Sequence, residues 1–385
     1  MALAIQVVVV MLTLSGLAYM LLALWGARDF ARGVQKQTGF SPEVTILKPV
    51  KGVDPRMYAG FVSHCRQIYP GTFEILFGVS TLDDPAVAEI ERLRAEFPGV
   101  AIRLVVCSGR LGTSGKVSNL VQMIASGTYE HIVINDSDIA VSPDYLSHVL
   151  SGFADPTVGL VTAPYLGRTA AFGEGLTIWS RLEALGISTD FMPGVLTARK
   201  LEGGLHFGLG STLAMTRTAL ARAGGFEPLV EYLADDYEVG ARIAAAGYRV
   251  ELCPVVVETS VPGYDLRGYW DHQMRWARST RDSRKMGYVG LGVTYVIPWA
   301  LATMLASGFA LWSFTLMSIV LLARVAVALS VGVGLLRDGQ VLRDLWLLPL
   351  RDLTGLIFWA WSFAGDTVVW RGETFRLRDG RIERA

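Results

Sequence analysis

Short apolar runs alternate with helical patterns through the first half of this chain, and this alternation constrains the fold more than any other feature. Four runs rich in branched or aromatic residues read as buried strands, at 44–49, 73–79, 102–106 and 131–135. Helical patterns separate them, at 57–68, 85–97 and 116–125. Strands that alternate with helices form a parallel sheet with right-handed crossovers. The sequence therefore predicts an α/β fold with a mostly parallel sheet.

Both ends of the chain are apolar, whereas residues from about 30 to 285 have the composition of a soluble domain. Residues 4–25 carry no charge and are numerous enough to cross a bilayer. No basic segment precedes them and no small-residue cleavage site follows, which argues against a removed signal peptide. Arg28, Arg32 and Lys36 follow the run, and positive flanks stay in the cytoplasm. We expect an integral membrane protein whose middle domain lies in the cytoplasm, at the inner membrane if bacterial.

The C-terminal third adds further membrane signals. Residues 265–287 are basic and amphipathic, which is typical of a helix on an anionic membrane surface. The apolar stretches 289–308 and 311–335 predict a transmembrane hairpin. Arg324 lies inside the second stretch, and we interpret it as polar glue between helices. The stretch 345–369 is apolar but carries charges, and it could cross the membrane. We expect an interfacial or re-entrant segment instead, because the basic C-terminal tail then stays in the cytoplasm.

These patterns divide the chain into five segments. They are an N-terminal transmembrane helix (1–27), an α/β domain (40–262), a basic interfacial segment (263–287), a transmembrane hairpin (288–336) and a membrane-associated segment with a cytoplasmic tail (337–385). The formal net charge is zero, so a nucleic-acid partner is not indicated. The 3 cysteines are scattered and fit a reducing compartment without a metal-binding spacing.

Two carboxylates follow the fourth predicted strand, where open α/β sheets bind ligands. They are Asp136 and Asp138, and a buried carboxylate is costly unless it is paired or bound to a metal. Oxygen ligands suit Mg²⁺ or Mn²⁺, which bind one or two carboxylates together with substrate phosphates. This pair predicts a metal–diphosphate site. The alternative is a solvated turn, since the motif alone is weak.

A second carboxylate pair, Asp83 and Asp84, follows the second predicted strand. Either side chain could accept hydrogen bonds from a nucleobase or ribose, although Asp84 alone is better explained as a helix cap. The segment 112–119 contains Lys116 and has the character of a phosphate loop at a helix start. It lacks the P-loop pattern, because Arg110 stands where the first glycine belongs and Val117 follows the lysine. An ATP-using enzyme is therefore poorly supported.

The third pair, Asp235 and Asp236, begins a predicted helix. A carboxylate there could be a general base, or it could merely complement the helix dipole. One such pair would favour the dipole, but three pairs at the ends of core elements favour a site. Further along, Arg275 could neutralise a departing diphosphate. Trp276 could stack on a sugar or anchor at the bilayer.

Taken in order, these motifs resemble the family-2 type of glycosyltransferase with the GT-A, Rossmann-like fold. They are most similar to the ceramide glucosyltransferase family (glycosyltransferase family 21), which includes bacterial enzymes that glycosylate hopanoids. The matching stretches are 46–52, 69–78, 84–85, 116–120, 135–138, 232–237 and 272–276. His272 stands where the closing motif, (Gln/Arg)-x-x-Arg-Trp, expects Gln or Arg, so the usual role of that position is in doubt.

The resemblance implies a role for each candidate residue. One of Asp83 and Asp84 would contact the uracil or ribose, with Lys116 and Asp235 near the nucleotide. Asp136 and Asp138 would hold the UDP-sugar diphosphate through Mg²⁺ or Mn²⁺. Asp236 would be the catalytic base. Arg275 and Trp276 would be the matching residues of the closing motif.

The resulting hypothesis is an inverting transfer of glucose or N-acetylglucosamine from a UDP-sugar to the hydroxyl of a membrane lipid, ceramide or hopanoid in type. Two rivals stay open. A polyprenyl-phosphate acceptor would need no strong base, because phosphate is already ionised. A non-enzymatic lipid-binding protein would use the same aspartates as caps and turns.

Overall fold

The computed structural model describes residues 2–33, 38–54, 56–171, 173–370 and 372–384. Lys36, part of the predicted basic flank, lies outside the described residues. The strands are β1 (Val44–Pro49), β2 (Phe73–Val79), β3 (Ala101–Val106), β4 (His131–Ile134), β5 (Val158–Thr162), β6 (Tyr165–Thr169), β7 (Leu213–Thr216), β8 (Arg249–Leu252), β9 (Val257–Val261), β10 (Thr367–Trp370), β11 (Glu373–Arg378) and β12 (Arg381–Arg384).

The helices follow the same chain order. They are α1 (Ala2–Arg32), α2 (Met57–Cys65), α3 (Ala86–Glu96), α4 (Gly115–Ile124), α5 (Tyr145–Ser151), α6 (Ile178–Gly186), α7 (Met192–Leu201), α8 (Arg217–Arg222), α9 (Asp235–Ala245), α10 (Leu266–Ser283), α11 (Lys285–Leu291), α12 (Val296–Ala306), α13 (Leu311–Val327), α14 (Gln340–Asp344) and α15 (Leu348–Ser362). A π-helical turn (Ile187–Phe191) joins α6 to α7, and another (Ala328–Leu335) extends α13.

The central sheet confirms the predicted mostly parallel α/β architecture. Among the described residues it has the strand order β3-β2-β1-β4-β7-β5-β8. The first four strands run parallel, β7 is antiparallel to both of its neighbours, and β8 is parallel to β5. β1 and β4 pair in register with Leu47 beside Ile134, so the residues that follow these two strands emerge together. Every residue of β1 is buried, because helices cover both faces of a parallel sheet.

The sequence of residues 248–257 predicts one further strand, but the structure has two strands in this region, β8 and β9. Pro254 interrupts it, since proline cannot donate a ladder hydrogen bond. β8 ends before the proline and stays in the central sheet, whereas β9 begins after it and pairs in parallel with β6. This second sheet, β6 and β9, was not predicted, and it lies beside the loop that follows β4 because Ala140 and Glu258 form a backbone bridge.

Two helices of the described chain are long and apolar enough to cross a membrane, Leu3–Arg32 and Leu311–Leu335. A bent pair, Lys285–Thr294 with Val296–Ala306, passes the same test together, with a 56° bend. α1 packs closely on the catalytic domain as well: a methyl group added to Gly26 would lie 2.7 Å from Leu196 O of α7. The predicted N-terminal helix and C-terminal hairpin region are therefore both helical.

The predicted cytoplasmic tail folds into a sheet. β10, β11 and β12 pair antiparallel and bury a small apolar core of their own. Charged residues dominate the outer face of the tail, so the short alternating pattern does not by itself predict strands. We call residues Thr367–Arg384 the C-terminal sheet.

Candidate active site

The loop after β4 is anchored by a buried amide. Asn135 is fully buried, and its Nδ2 donates to Ser211 O at 2.7 Å and to Tyr145 Oη at 2.9 Å. Lys48, also fully buried at the end of β1, donates to Asp136 O at 3.2 Å. Since polar groups this deep need partners, these contacts hold the loop at the carboxyl edge of the sheet in one conformation. Asp136 can then turn its side chain outward, where 41% of it is exposed.

Lys116 brings two of the predicted aspartate pairs together. It stands in the first turn of α4, whose N-terminus is capped by the Ser114 hydroxyl. Its Nζ lies 2.9 Å from Asp136 Oδ1 and 3.1 Å from Asp235 Oδ2. Residues separated by about a hundred positions in the sequence thus share one cation, as the sequence analysis expected of a common site.

Asp236 faces the same space from the first turn of α9. A methyl group added to Gly210 would lie 2.9 Å from Asp236 Oδ2 and 3.7 Å from Asp136 Oδ2. Both carboxylates therefore border a gap that a side chain at position 210 would fill. The segment 201–210 is rich in glycine, as expected of a loop, and Gly210 keeps that gap open.

The electrostatics of this cluster favour one basic carboxylate. Burial, reinforced by the charge of Asp235, raises the pKa of Asp236 to about 6. Burial also raises the pKa of Asp235, against the opposing effect of Lys116. Burial lowers the pKa of Lys116, but the carboxylates of Asp136, Asp235 and Asp236 outweigh it, so the net shift is upward. A carboxylate with a pKa near neutrality beside a fixed cation is suited to general base chemistry.

Asp138 is held by the second sheet. Its Oδ2 accepts from Thr259 Oγ1 at 2.5 Å and from Ser260 N at 3.2 Å, both on β9. Burial and the nearby Asp136 raise the pKa of Asp138, so the pair repels itself without a cation between or beside them. The sequence predicts Asp138 as a site residue. It does not predict the donors Thr259 and Ser260, because β9 has no strand pattern separate from that of β8.

A divalent metal fits the donor set at this edge. The described residues include no group of three or more His, Cys, Asp or Glu placed to hold a metal ion. Asp136 and Asp138 instead offer hard carboxylate oxygens on one loop, with mutual repulsion that a cation would relieve. Magnesium and manganese bind such sites when substrate phosphates supply the remaining ligands. Asp136 and Asp138 could therefore hold a divalent metal only together with oxygen ligands from a bound substrate.

The first aspartate pair has a structural partner. Both oxygens of Asp84 accept from Gly52 N at 3.0 Å, and Oδ1 also accepts from Ala86 N at 2.9 Å. Asp84 thus caps the start of α3, as the alternative interpretation held, and ties it to the loop after β1. Asp83 is exposed. Among the described residues, no contact connects Asp83 or Asp84 with the Lys116 cluster, and their nucleotide-binding role stays a prediction.

The closing motif lies on α10, and its first residue has an acidic partner. His272 Nδ1 is 3.1 Å from Oε1 of Glu183, a fully buried residue of α6. Gln273 Nε2 donates to Glu183 Oε2 at 2.5 Å. The His272 ring also stacks on Tyr264 and makes a tilted contact with Trp276, each with ring centroids 5.3 Å apart. Histidine thus occupies the Gln or Arg position of the motif with a carboxylate to balance it.

Aromatic contacts connect the closing motif with the carboxylate cluster. Trp276 contacts Phe191 at 5.9 Å between centroids, and Phe191 contacts Tyr165 at 5.3 Å. Burial raises the pKa of Tyr165, and the negative charges of Asp236 and Glu183 reinforce the shift. Burial also raises the pKa of Tyr264, and the positive charge of Arg275 opposes that shift.

Most basic side chains of the amphipathic segment bind protein groups rather than pointing freely outward. Arg281 donates to Gly365 O at 2.9 Å, and Arg278 donates to Thr367 O. Arg284 pairs with Glu202, and Lys285 pairs with Asp379 at 2.9 Å. The basic character of residues 265–287 therefore serves contacts with the C-terminal sheet and the 201–210 loop. The spacing of basic residues predicts a charged helix face, but it does not distinguish protein partners from lipid headgroups.

Arg324 joins the membrane helices to the closing motif. Its Nε lies 2.9 Å from Asp352 Oδ1, and it also pairs with Asp190 in the π-helical turn. Asp190 is paired with Arg351 at 2.6 Å, and Arg351 donates to Gln273 Oε1 at 2.9 Å. These contacts agree with the interpretation of Arg324 as a polar link between helices. Through Asp190 and Arg351 the network extends to Gln273 of α10.

Comparison with known proteins gives this arrangement a class. The structure resembles mannosyltransferase PcManGT from Pyrobaculum calidifontis, solved in complex with GDP-Man and Mn²⁺, with a TM-score of 0.53 over 94% of this chain and 97% of that one at 21% identity. The fold is thus that of a GT-A glycosyltransferase flanked by helices of membrane-spanning length. Residues 8–383 match the sequence profile of glycosyl transferase family 21, and the chain belongs to that family.

Two relatives illustrate the range of that similarity. Ceramide glucosyltransferase 3 of Caenorhabditis elegans is 26% identical over 251 residues, which cover 63% of this chain and 51% of that protein. An N-acetylglucosaminyltransferase of Bradyrhizobium diazoefficiens is 23% identical over 250 residues, 62% of this chain and 49% of that protein. The chain thus spans about half the length of these relatives.

Proposed function

We propose that this protein transfers a hexose, glucose or N-acetylglucosamine, from a UDP-sugar to the hydroxyl of a membrane lipid of the ceramide or hopanoid type. The observation that carries the proposal is the meeting of Asp136 and Asp236 at the Gly210 gap, where a donor-side carboxylate adjoins a base with a pKa of about 6. The relatives named above as ceramide glucosyltransferase and N-acetylglucosaminyltransferase support these sugar classes.

The chemistry we propose is a single displacement with inversion. Asp236 accepts the proton of the lipid hydroxyl while the hydroxyl oxygen forms a bond to the anomeric carbon. The bond between that carbon and the UDP oxygen breaks, and UDP leaves with the electron pair. Lys116 keeps Asp236 ionised near neutral pH, because it lowers the pKa that burial and Asp235 raise. Arg275 of the closing motif is the cation assigned to the departing diphosphate.

Asp138 and Asp136 are the residues we assign to Mg²⁺ or Mn²⁺. Their shared loop and mutual repulsion suit a divalent cation. Such an ion would supply electrostatic stabilisation of the charge on the leaving diphosphate. Thr259 and Ser260 hold one oxygen of Asp138 and so orient the other. The Mn²⁺ bound by the Pyrobaculum mannosyltransferase supports this assignment.

The remaining binding roles follow the same argument. We assign Lys116 and Asp235 to the nucleotide side of the site, and Asp83 or Asp84 to the uridine. Trp276, in contact with Phe191, is assigned to the sugar or the lipid headgroup. We further propose that the lipid bilayer is the protein's partner on the side of α1 and α13, with the catalytic domain in the cytoplasm, since Arg28 and Arg32 flank the first helix.

The deciding experiment uses detergent-purified protein with Mn²⁺, a panel of UDP-sugars, and ceramide, hopanoid and sterol acceptors, with the glycolipid product read by mass. A product from one donor and acceptor pair supports the proposal and names both substrates. Donor binding without any glycosylated hydroxyl lipid overturns the acceptor class and favours a polyprenyl phosphate. Absence of UDP-sugar binding with or without metal overturns the proposal and favours the non-enzymatic alternative.

A further inference from the structure

The C-terminal sheet contacts the segment that leads into the proposed base. Ile382 N donates to Glu231 O at 2.7 Å, and Leu233 N donates to Gly380 O at 3.1 Å. The Leu233 side chain packs against the apolar core of the sheet. Residues 231–233 therefore behave as an added strand, and α9 with its catalytic carboxylate begins immediately afterwards. The base-bearing helix starts from a segment that the C-terminal sheet holds.

The same sheet is attached to the helix that carries the closing motif. Gly380 N donates to Asp282 Oδ2 at 3.4 Å, and Asp379 pairs with Lys285 at 2.9 Å. Asp282 belongs to α10, two turns beyond Trp276. Gly380 thus bonds α10 through its N–H and the base-bearing segment through its carbonyl. A single residue, Gly380, thus bridges the two elements.

The segment that leads into the proposed base also contacts the loop before Lys116, on the proposed donor side of the site. Ser114 N donates to Val230 O at 2.8 Å, and Thr113 N donates to Glu231 Oε2 at 3.1 Å. The loop that precedes Lys116 therefore lies on the other flank of the same segment. Residues 230–233 are held between the Lys116 loop and the C-terminal sheet.

We propose that the C-terminal sheet is a positioning element of the active site, with Gly380 as its joint. It fixes the distance between α9, which carries Asp236, and α10, which carries Arg275 and Trp276. This inference rests on the proposed function, because it assigns the sheet to the geometry of that reaction. Its physical basis is that a misplacement of about 1 Å in a reacting group lowers the rate on the order of a hundredfold, whereas ground-state binding tolerates it better.

Two glycines in the turns of the sheet allow a matched test. Gly380 has φ +78° and Gly372 has φ +80°, so alanine strains both turns alike. A methyl group on Gly380 would lie 3.3 Å from the Tyr232 ring, at the joint, whereas one on Gly372 meets nothing within 4 Å. Gly380→Ala therefore disturbs the joint, and Gly372→Ala controls for strain in the sheet.

The readouts are kcat, the KM for the donor, and the exchange of backbone hydrogens in full-length protein. We expect Gly380→Ala to lower kcat about tenfold or more with the donor KM within about twofold, and to speed exchange across 231–236. We expect Gly372→Ala to keep kcat within about twofold of the unchanged protein. Equal effects of the two variants, or unchanged exchange across 231–236 in Gly380→Ala, would overturn the proposal.

Ile382→Asp provides a second, stronger disruption, since Ile382 is fully buried in the core of the sheet. Arg376→Gln, on the solvent face of the neighbouring strand, is its control. Exchange separates this proposal from the proposed function. If the unchanged protein transfers no sugar, the proposed function fails, yet faster exchange at 231–236 in Ile382→Asp but not in Arg376→Gln still supports the joint. Unchanged exchange at that segment in Ile382→Asp overturns it.

Discussion

Lys116 and Asp136 form an ion pair at the carboxyl edge of the sheet, with Nζ 2.9 Å from Oδ1. The same ammonium lies 3.1 Å from Asp235, so a single cation offsets carboxylates that come from two distant loops. Because its charge also lowers the pKa of Asp236, Lys116 is coupled to the proposed base without touching it. This relationship determines the first prediction.

Transfer should depend on pH with a midpoint near the pKa of Asp236, about 6. The ionised carboxylate is the active form, so the rate falls as pH drops below that value, about tenfold per pH unit. Lys116→Met removes a charge that favours the ionised form, which raises the pKa and moves the midpoint to higher pH. The check is kcat against pH for both proteins, with the exposed Arg94→Met as control. A midpoint that stays or moves lower contradicts the coupling.

Asp236→Asn should abolish transfer while donor binding survives. The amide matches the carboxylate in shape but accepts no proton, and loss of a general base costs about 10²- to 10⁴-fold. Product formation and UDP-sugar titration measure the two effects separately. Asp144→Asn, on the exposed end of α5, is the matched control and should retain activity. Full activity in Asp236→Asn would refute its assignment and favour an acceptor that is already ionised.

Asp138→Asn should remove the joint effect of Mn²⁺ and UDP on stability. For the unchanged protein, ligands at a hundred times their Kd add about 2.7 kcal/mol to the free energy of unfolding. Asparagine keeps the Thr259 contact but lacks the charge that holds a cation. Thermal unfolding in detergent, with Mn²⁺ and UDP or with a chelator, measures the difference. Asp155→Asn serves as an exposed control, and equal stabilisation of both variants would show that Asp138 holds no metal.

Arg324→Met should destabilise the fold strongly. It leaves the buried Asp352 without its paired cation and removes one of the two arginines that pair with Asp190, and breaking a buried ion pair from one side costs about 3–5 kcal/mol. The exposed pair of Arg94 and Glu91 should contribute only about 0–1 kcal/mol, so Arg94→Met is the control. Thermal unfolding in detergent compares the two.

The double variant Arg324→Met with Asp352→Asn should recover part of the loss, because it removes the unpaired charge of Asp352 while Asp190 keeps its ion pair with Arg351. If Arg324→Met is no less stable than Arg94→Met, the network contributes nothing to the fold.

Local patterns were sufficient for the parallel part of the sheet and for the membrane helices. Apolar runs such as 131–135 bury on both faces, and residues 4–25 must form a helix if they lie in lipid, so neither depends on a distant partner. A carboxylate at the end of a core element is costly to bury unless it is paired or bound to a metal. That cost predicts a site at Asp136, Asp138, Asp235 and Asp236. The sequence by itself therefore determined the fold class and most of the acidic cluster.

Only the tertiary structure decided which side chains contact Asp138 and His272. Thr259 reaches Asp138 because Pro254 ends one strand and lets the next join a second sheet, and Glu183 meets His272 because α6 packs beside α10. Neither residue carries a local signal, since its partner lies about 90 residues or more away. The C-terminal sheet also depends on a distant residue. Its short alternating pattern does not predict a sheet by itself, because Leu233 supplies part of the apolar surface that the core of the sheet requires.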